Sequence, residues 1–121
     1  GKKSFANVIE LVSNRLAISL RELRAVGSLD TEIKTIGICT GAGADMMQLA
    51  KKSGCDLFIT GDVKYHEAKT AEELGICLID AGHYHTEKIF GEKMKEKLSD
   101  KLSCDIEIIT TNIDLNPFIV L

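Results

Sequence analysis

The chain has 121 residues, of which 45% are hydrophobic and 27% are charged, and its formal net charge is −3. Values of this kind are typical of a globular domain that can bury about two-thirds of its unfolded surface without cross-links. The acidic balance, together with the lack of a Lys/Arg stripe with interleaved aromatic residues, argues against a nucleic-acid partner. No signal peptide is visible, and no apolar stretch approaches the roughly 20 residues of a membrane span. We therefore expect a cytoplasmic protein with no membrane partner.

The four cysteines have the spacing of neither a disulfide framework nor a zinc site. Cys39, Cys55, Cys77 and Cys104 lie in, or at the start of, apolar strand-like runs, and no two of them form a CxxC pair. A core of this size needs no cross-links. We therefore predict four free, buried thiols.

The first half of the chain predicts two helices and two strands. Apolar residues recur at helical spacing over residues 5–16, behind the candidate N-cap Ser4. Residues 20–26 are a strand candidate. Residues 33–40 are rich in β-branched side chains and predict a strand, and residues 45–52 predict a helix.

The second half repeats the alternation of strand and helix. Residues 56–60 and 76–80 predict apolar strands, and residues 64–74 predict the helix between them. A long helix is predicted from residue 86 to about residue 102, followed by a strand over residues 104–108 with one wet face.

Strand, glycine-containing break, helix and strand in succession form the pattern of βαβ units with right-handed crossovers. The central strands are almost entirely apolar, as expected when helices cover both faces of a sheet. We therefore predict a single α/β domain over residues 1–121, with a layered, mainly parallel sheet and helices on both faces.

Three successive strand ends carry glycine together with polar or ionisable side chains, in residues 40–45, 60–66 and 80–87. In a parallel sheet, ligands bind at the carboxyl ends of the strands. We therefore expect the functional site along this edge of the sheet.

The third of these loops contains the strongest candidates for ligand chemistry, His83 and Glu87. They are four residues apart at the start of a helix, so a helical turn would place them on one side. An imidazole and a carboxylate suit zinc, iron or manganese. The same pair has an explanation without a metal. The histidine would simply start the helix, and the helix dipole would favour a glutamate in its first turn. His85 offers a rival HxH arrangement with His83, which suits an extended segment better.

The other two loops leave alternatives open. Asp62 can cap the following helix, and His66 is either a general acid or base or a solvated helix residue. The glycine loop, residues 40–45, can hold an anion on its backbone N–H groups or serve as a tight turn. It is not a dinucleotide fingerprint, because Met46 stands in the place of the third glycine.

Together, residues 36–43, 56–66 and 80–87 closely resemble one family in order and spacing. It is the Nif-three-like family of dinuclear-metal proteins, whose bacterial members include the type 2 homologues of GTP cyclohydrolase I. The similarity runs from about Ser4 to the tail, and residues 82–87, Gly-His-Tyr-His-Thr-Glu, are its most specific part.

The resemblance implies roles for individual residues. By position, His83 and Glu87 are two of the ligands to a pair of adjacent divalent metal ions (zinc, iron or manganese), two ions per complete member. His85 is left outside the ligand set. His66 falls near the metals and is the candidate catalytic residue.

The chain also departs from the family. Members carry their remaining ligands in an N-terminal half, on a His-His pair and a later His and Asp, whereas this chain has only His66, His83 and His85. We expect it to be the C-terminal half of a longer member, completed by the N-terminal half of its own chain; the alternative is a shortened relative that has lost the site. Two ligands hold a metal weakly, so the isolated chain should be catalytically silent.

Two adjacent metal ions lower the pKa of a bridging water and hold the attacked oxygen, which is the arrangement for metal-assisted hydrolysis. The resemblance therefore implies a metal-dependent hydrolase similar to the GTP cyclohydrolase I type 2 homologues, assembled as a homo-oligomer. Two alternatives are a nucleotide- or cofactor-binding module that uses the glycine loop and Asp62, and a non-catalytic structural or regulatory domain.

Overall fold

The computed structural model of the chain describes residues 3–89, 92, 93, 96, 98, 107, 109 and 116–121. Its helices and strands are, in order, β1 (Lys3–Ser4), α1 (Phe5–Leu16), β2 (Arg24–Val26), β3 (Glu32–Ile33), β4 (Ile36–Ile38), α2 (Met47–Lys52), β5 (Leu57–Thr60), α3 (Tyr65–Leu74), β6 (Cys77–Asp80) and α4 (His83–Glu87). Short 3-10 turns precede β2 and α2, at Leu20–Glu22 and Ala44–Met46.

Within the described residues, the main sheet has four strands in the order β2-β6-β5-β4. The strands β4, β5 and β6 are parallel, with Ile38 opposite Ile59 and Thr60 opposite Asp80. Of these four strands, β2 is antiparallel, and it pairs with β6. The predicted mainly parallel sheet is therefore confirmed, and the ends of β4, β5 and β6 lie at the same edge.

Helices cover both faces of this sheet, as predicted. Successive strand residues point to opposite faces, so Leu57 and Ile59 pack in one cluster with Phe5 of α1. On the other face, Phe58 packs in a second cluster with residues of α2 and α3, including Ala71. All four residues of β5 and of β6 are buried, which explains why their sequences read as apolar runs.

The helix α1 begins where the sequence predicts. The hydroxyl of Ser4 accepts a hydrogen bond from the backbone N–H of Asn7 at 3.2 Å, which satisfies one of the free donors at the helix start. Phe5 and Val8 are buried on the face that packs against the sheet. The helix ends at Ala17, which adopts the left-handed conformation.

The strand candidate at residues 20–26 is only half a strand. Its first part is a 3-10 turn in which the hydroxyl of Ser19 accepts from the N–H of Arg21 and the carboxylate of Glu22 accepts from the N–H of Ser19. This local capping competes with extended structure. The strand β2 therefore begins only at Arg24.

The strand predicted at residues 33–40 is divided into β3 and β4 because a side chain binds the backbone between them. The carboxylate of Asp56 accepts hydrogen bonds from the N–H groups of Lys34 and Thr35 at 2.9 and 3.0 Å. These two hydrogen bonds, of which the one from Lys34 has the larger effect, hold the pKa of Asp56 below its ordinary value. The predicted strand end at residue 40 is also late, since β4 ends at Ile38.

The helix that carries the candidate ligands begins at His83 rather than at residue 86. Gly82, with φ 82°, turns the chain directly from β6 into α4. Most of the predicted continuation to residue 102 lies outside the described residues, as does nearly all of the predicted strand at residues 104–108.

Cys39, Cys55 and Cys77 are free thiols, as predicted, although only Cys77 is buried and the other two are half-buried. Cys104 lies outside the described residues. In the part of the chain that the structure describes, no helix is long and apolar enough to cross a membrane.

Candidate metal centre

The three glycine-containing loops meet at the carboxyl edge of the sheet. The N–H of Gly61 donates to the carbonyl of Gly41 at 2.8 Å, which joins the first loop to the second. The N–H of Gly41 donates to the hydroxyl of Thr86 at 3.0 Å, which joins the first loop to the third. The predicted common edge is therefore confirmed.

Two buried threonines bind the backbone of the glycine loop. The hydroxyl of Thr60 accepts from the N–H of Gly43 at 2.9 Å and donates to the carbonyl of Gly41 at 3.2 Å. With Thr86 bound to Gly41, the two glycine N–H groups of this loop already have partners. The loop is thus a tight turn that packs the strand ends together, and these two N–H groups are not directed at a ligand.

His83 and Glu87 face each other across the first turn of α4. The Nε2 atom of His83 lies 3.2 Å from Oε2 of Glu87, and the side chains are 47% and 53% exposed. Gly41, with φ 68°, lies against this pair: a Cβ there would be 2.7 Å from Oε1 of Glu87. The absence of a side chain at Gly41 leaves room beside the two donor atoms.

The other ring nitrogen of His83 binds a residue from the neighbouring loop. Nδ1 of His83 lies 2.7 Å from Oδ2 of Asp62. The hydrogen bond to Asp62, aided by the negative charge of Glu87 and opposed by partial desolvation, raises the pKa of His83 above its ordinary value. The sequence marks Asp62 as a candidate N-cap, but Lys64 is the N-cap of α3.

The buried carboxylate of Asp80 accepts hydrogen bonds from both loops, the one that carries Asp62 and the one that precedes His83. Its Oδ2 atom accepts from the N–H of Val63 at 3.1 Å and also from Arg24, and its Oδ1 atom accepts from the N–H of Gly82 at 3.0 Å. The sequence pattern alone assigns no role to Asp80. Its position as the one acidic residue at the end of an otherwise apolar strand is the signal that could have marked it.

His85 contacts a residue outside the His83–Glu87 pair. Its Nε2 atom lies 3.1 Å from Oε1 of Glu22, and its ring contacts that of Tyr84 edge-on. Its Nδ1 atom is buried and has no hydrogen-bond partner among the described residues. Because residues 83–87 are helical, His83 and His85 do not form the extended HxH arrangement.

His66 lies in the first turn of α3 and is exposed. It is not among the residues that line the open cavity of about 620 Å³ beside His83, whereas Asp62, His85 and Glu87 are. The structure thus brings together Asp62, His83 and Glu87. The catalytic role of His66 stays a prediction.

The donor atoms of His83 and Glu87 suit one metal ion. Two ligands of a tetrahedral ion with bonds of about 2.1 Å lie about 3.4 Å apart, close to the 3.2 Å between these two atoms. The described residues contain no cluster of three or more His, Cys, Asp or Glu side chains arranged to hold an ion. The separation of the two atoms therefore matches that of two ligands of one ion, and it is also a hydrogen-bonding distance for a protonated Nε2.

The mainly parallel sheet defines an α/β protein, and the exposed His–Glu pair lies in the loops at the carboxyl edge of that sheet. The sequence profile of the Duf34/NIF3 (NGG1p interacting factor 3) family matches residues 1–117. The chain belongs to this family.

Relatives and solved structures agree with this membership. A GTP cyclohydrolase 1 type 2 homolog of Clostridium perfringens is 37% identical over 111 residues, which are 92% of this chain and 42% of the relative. The homolog of the same name from Haemophilus influenzae is 37% identical over 105 residues, covering 87% of this chain and 40% of the relative. This chain thus spans about two-fifths of the length of these curated relatives.

Two crystal structures share the fold over the whole chain. A hypothetical protein of Staphylococcus aureus superposes with a TM-score of 0.88 at 30% identity, over 100% of this chain and 40% of that one. A Bacillus cereus protein related to NIF3 gives a TM-score of 0.81 at 27% identity, over 100% of this chain and 34% of that one. The fold inferred from the strand–helix alternation is therefore that of the family.

Proposed function

We propose that this chain supplies His83 and Glu87 as two ligands to the metal site of a dinuclear protein of the family, and that the complete protein is a metal-dependent hydrolase. The observation that carries the proposal is the 3.2 Å approach of the imidazole Nε2 and the carboxylate Oε2 at the carboxyl edge of the sheet. Both side chains are half-exposed and project into an open cavity, where further ligands can reach the ion.

Divalent zinc, iron or manganese suits an imidazole–carboxylate pair, and two such ions would supply an activated water and a clamp on the attacked oxygen. The role of this chain is to hold the two donors 3.2 Å apart on the first turn of α4. The buried hydroxyl of Thr86 stabilises that turn, since it donates to the carbonyl oxygens of Gly82 and His83 at 2.9 and 3.0 Å.

The remaining ligands must come from outside the described residues, because two donors leave most of the coordination shell to water. We propose that they belong to the upstream half of a longer chain, that such a chain holds two ions, and that it assembles as a homo-oligomer. The reaction we assign is a hydrolysis similar to that in the names of the relatives, GTP cyclohydrolase 1 type 2 homologs.

The alternative nucleotide- or cofactor-binding module receives less support from the geometry. It needs free N–H groups in the glycine loop, but those of Gly41 and Gly43 are bound to Thr86 and Thr60. It also needs the carboxylate of Asp62, which is bound to His83. Titration of the chain with GTP and with zinc by calorimetry separates the two functions, and tight GTP binding without zinc would favour the module.

Elemental analysis after refolding with zinc tests the metal proposal. A longer chain that includes the upstream half should hold about two ions, and His83→Ala should remove much of this content. The 121-residue chain should bind zinc weakly and show no hydrolysis.

Two further variants act as controls. His66→Ala removes an exposed histidine that does not line the cavity and should retain the full metal content. His85→Ala tests the rival HxH arrangement and should also retain it. Full metal content in His83→Ala, or a longer chain without metal after refolding, would show that His83 is not a ligand.

A further inference from the structure

We propose that Asp62 is a positioning residue of the metal site, whose carboxylate accepts the Nδ1–H of His83 and so leaves the Nε2 lone pair free for a metal ion. This inference deepens the proposed function and rests on it, because it concerns the orientation of the ligand His83. It assigns Asp62 a role different from the helix cap that the sequence indicates.

The two nitrogens of the His83 ring have different partners, and this difference carries the inference. Nδ1 lies 2.7 Å from Asp62, while Nε2 lies 3.2 Å from Glu87, on the opposite side of the ring. A neutral imidazole has one N–H and one lone pair, and the hydrogen bond at one nitrogen decides which form is present. Both nitrogens lie within hydrogen-bond distance of a carboxylate, but the contact of Nδ1 with Asp62 is the shorter one. The neutral ring therefore keeps its proton on Nδ1, and only the protonated ring donates to Glu87 as well.

A rigid frame maintains the contact between Asp62 and His83. A Cβ on Gly61 would lie only 2.6 Å from the amide nitrogen of His83, so the backbones of the two loops touch directly. Asp80 accepts hydrogen bonds from the residues that follow both β5 and β6, Val63 and Gly82. The pair is therefore not a chance encounter of two flexible surface side chains.

The carboxylate of Asp62 is not used as a helix cap. Its φ of 53° lies in the left-handed region, which aspartate adopts more readily than most residues other than glycine. The N–H of Lys64 at the start of α3 donates instead to the carboxylate of Glu67 at 2.8 Å. The hydrogen bond to His83 is the interaction that the structure gives to the Asp62 carboxylate.

A direct role for Asp62 as a ligand to the same ion does not fit this geometry. Its Oδ2 atom is bound to the ring nitrogen that points away from Glu87. Carboxylates that bind the second nitrogen of a ligand histidine fix its tautomer and orientation, and their loss weakens metal binding by about 10–100-fold.

The tautomer of His83 can be read without any metal. Long-range ¹H–¹⁵N spectra of the neutral ring in the metal-free chain should show the proton on Nδ1. Asp62→Gly removes the carboxylate and tolerates the positive φ without strain, and it should move the proton to Nε2, the form that predominates in water. Asp62→Asn can turn its amide N–H group toward Nδ1 and should therefore also favour the proton on Nε2.

The second measurement is the affinity for zinc. It is followed through the NMR signals of the His83 ring, because these report weak binding as well. Asp62→Gly should reduce the affinity by about 10–100-fold. Asp30→Gly is the matched control, because it removes an equal charge from an exposed turn before β3 and should change neither the tautomer nor the affinity.

The outcomes separate the two proposals. An unchanged tautomer in Asp62→Gly, or an affinity equal to that of Asp30→Gly, would overturn the role of Asp62. A switch of tautomer in a chain whose His83 signals never respond to zinc would support the positioning of His83 by Asp62 and contradict the proposed metal function.

Discussion

Replacing Gly61 with alanine should force apart the two loops that carry Asp62 and His83. A Cβ at Gly61 would lie 2.5 Å from the carbonyl carbon of Gly82 and 2.6 Å from the amide nitrogen of His83. Both are backbone atoms, and neither can move without moving the end of β6. The crowding therefore cannot be relieved by the rotation of a side chain.

The loss of stability in Gly61→Ala follows from the backbone contacts that must separate at the ends of β5 and β6. Beside Gly61, the N–H of Ala81 donates to the carbonyl of Thr60 at 2.8 Å, and this bond lengthens if the strand ends move apart. Overpacking costs about 1–3 kcal/mol, and a weakened hydrogen bond adds about 1 kcal/mol. We expect the free energy of unfolding to fall by about 3 kcal/mol and Tm to fall by roughly 10–15 °C.

Urea denaturation of Gly61→Ala beside Gly54→Ala tests this reasoning. Gly54 has a positive φ of 84° but no atom within 4 Å of a Cβ, so alanine there meets strain without crowding. That strain costs about 1–2 kcal/mol. If Gly61→Ala is no more destabilising than Gly54→Ala, the backbones of the two loops do not touch as described. The account of how Asp62 is held beside His83 is then wrong.

Two further predictions concern titratable groups. The hydrogen bond to Asp62 raises the pKa of His83, so an NMR titration of His83 should give a midpoint above 6.5. The variant Asp62→Asn should lower this midpoint. The stability that the pair contributes is complete below the pKa of His83 in the unfolded chain, and it is lost as the pH rises through the higher pKa of the folded chain. An unchanged midpoint in Asp62→Asn contradicts the assignment. Burial raises the pKa of the Cys77 thiol, so in the native chain Cys77 should react with a thiol reagent more slowly than half-buried Cys39 and Cys55. After denaturation without reductant all four cysteines of the sequence should titrate, and two or fewer free thiols would refute the prediction of no disulfide.

Periodicity, capping signals and apolar runs predict the positions of the main elements. The spacing of apolar residues behind Ser4 locates α1, and the mostly apolar runs locate β5 and β6 because both faces of these strands are buried. The His83–Glu87 pair is local as well, since one helical turn brings residues four apart to the same side.

The two errors in the bounds of strands have one physical cause, which is that side chains hydrogen-bond to the backbone in place of a neighbouring strand. Residues 33–40 are rich in β-branched side chains like one strand, yet the carboxylate of Asp56, distant in sequence, binds the backbone of Lys34 and Thr35 and divides it. Residues 20–26 become a turn in their first part because Ser19 and Glu22 cap each other's backbone.

The sequence by itself determined the strand–helix alternation, the edge at which the loops lie and the spacing of the two candidate ligands. Only the tertiary structure decided that Asp62, 21 residues before His83, binds its ring, and that Glu22, 63 residues before His85, binds the ring of that histidine. Such contacts depend on which strands are neighbours and in what register, here Thr60 opposite Asp80. The alternation within one strand shows which of its faces are buried, but the identity of the neighbouring strand is set by the packing of the whole sheet.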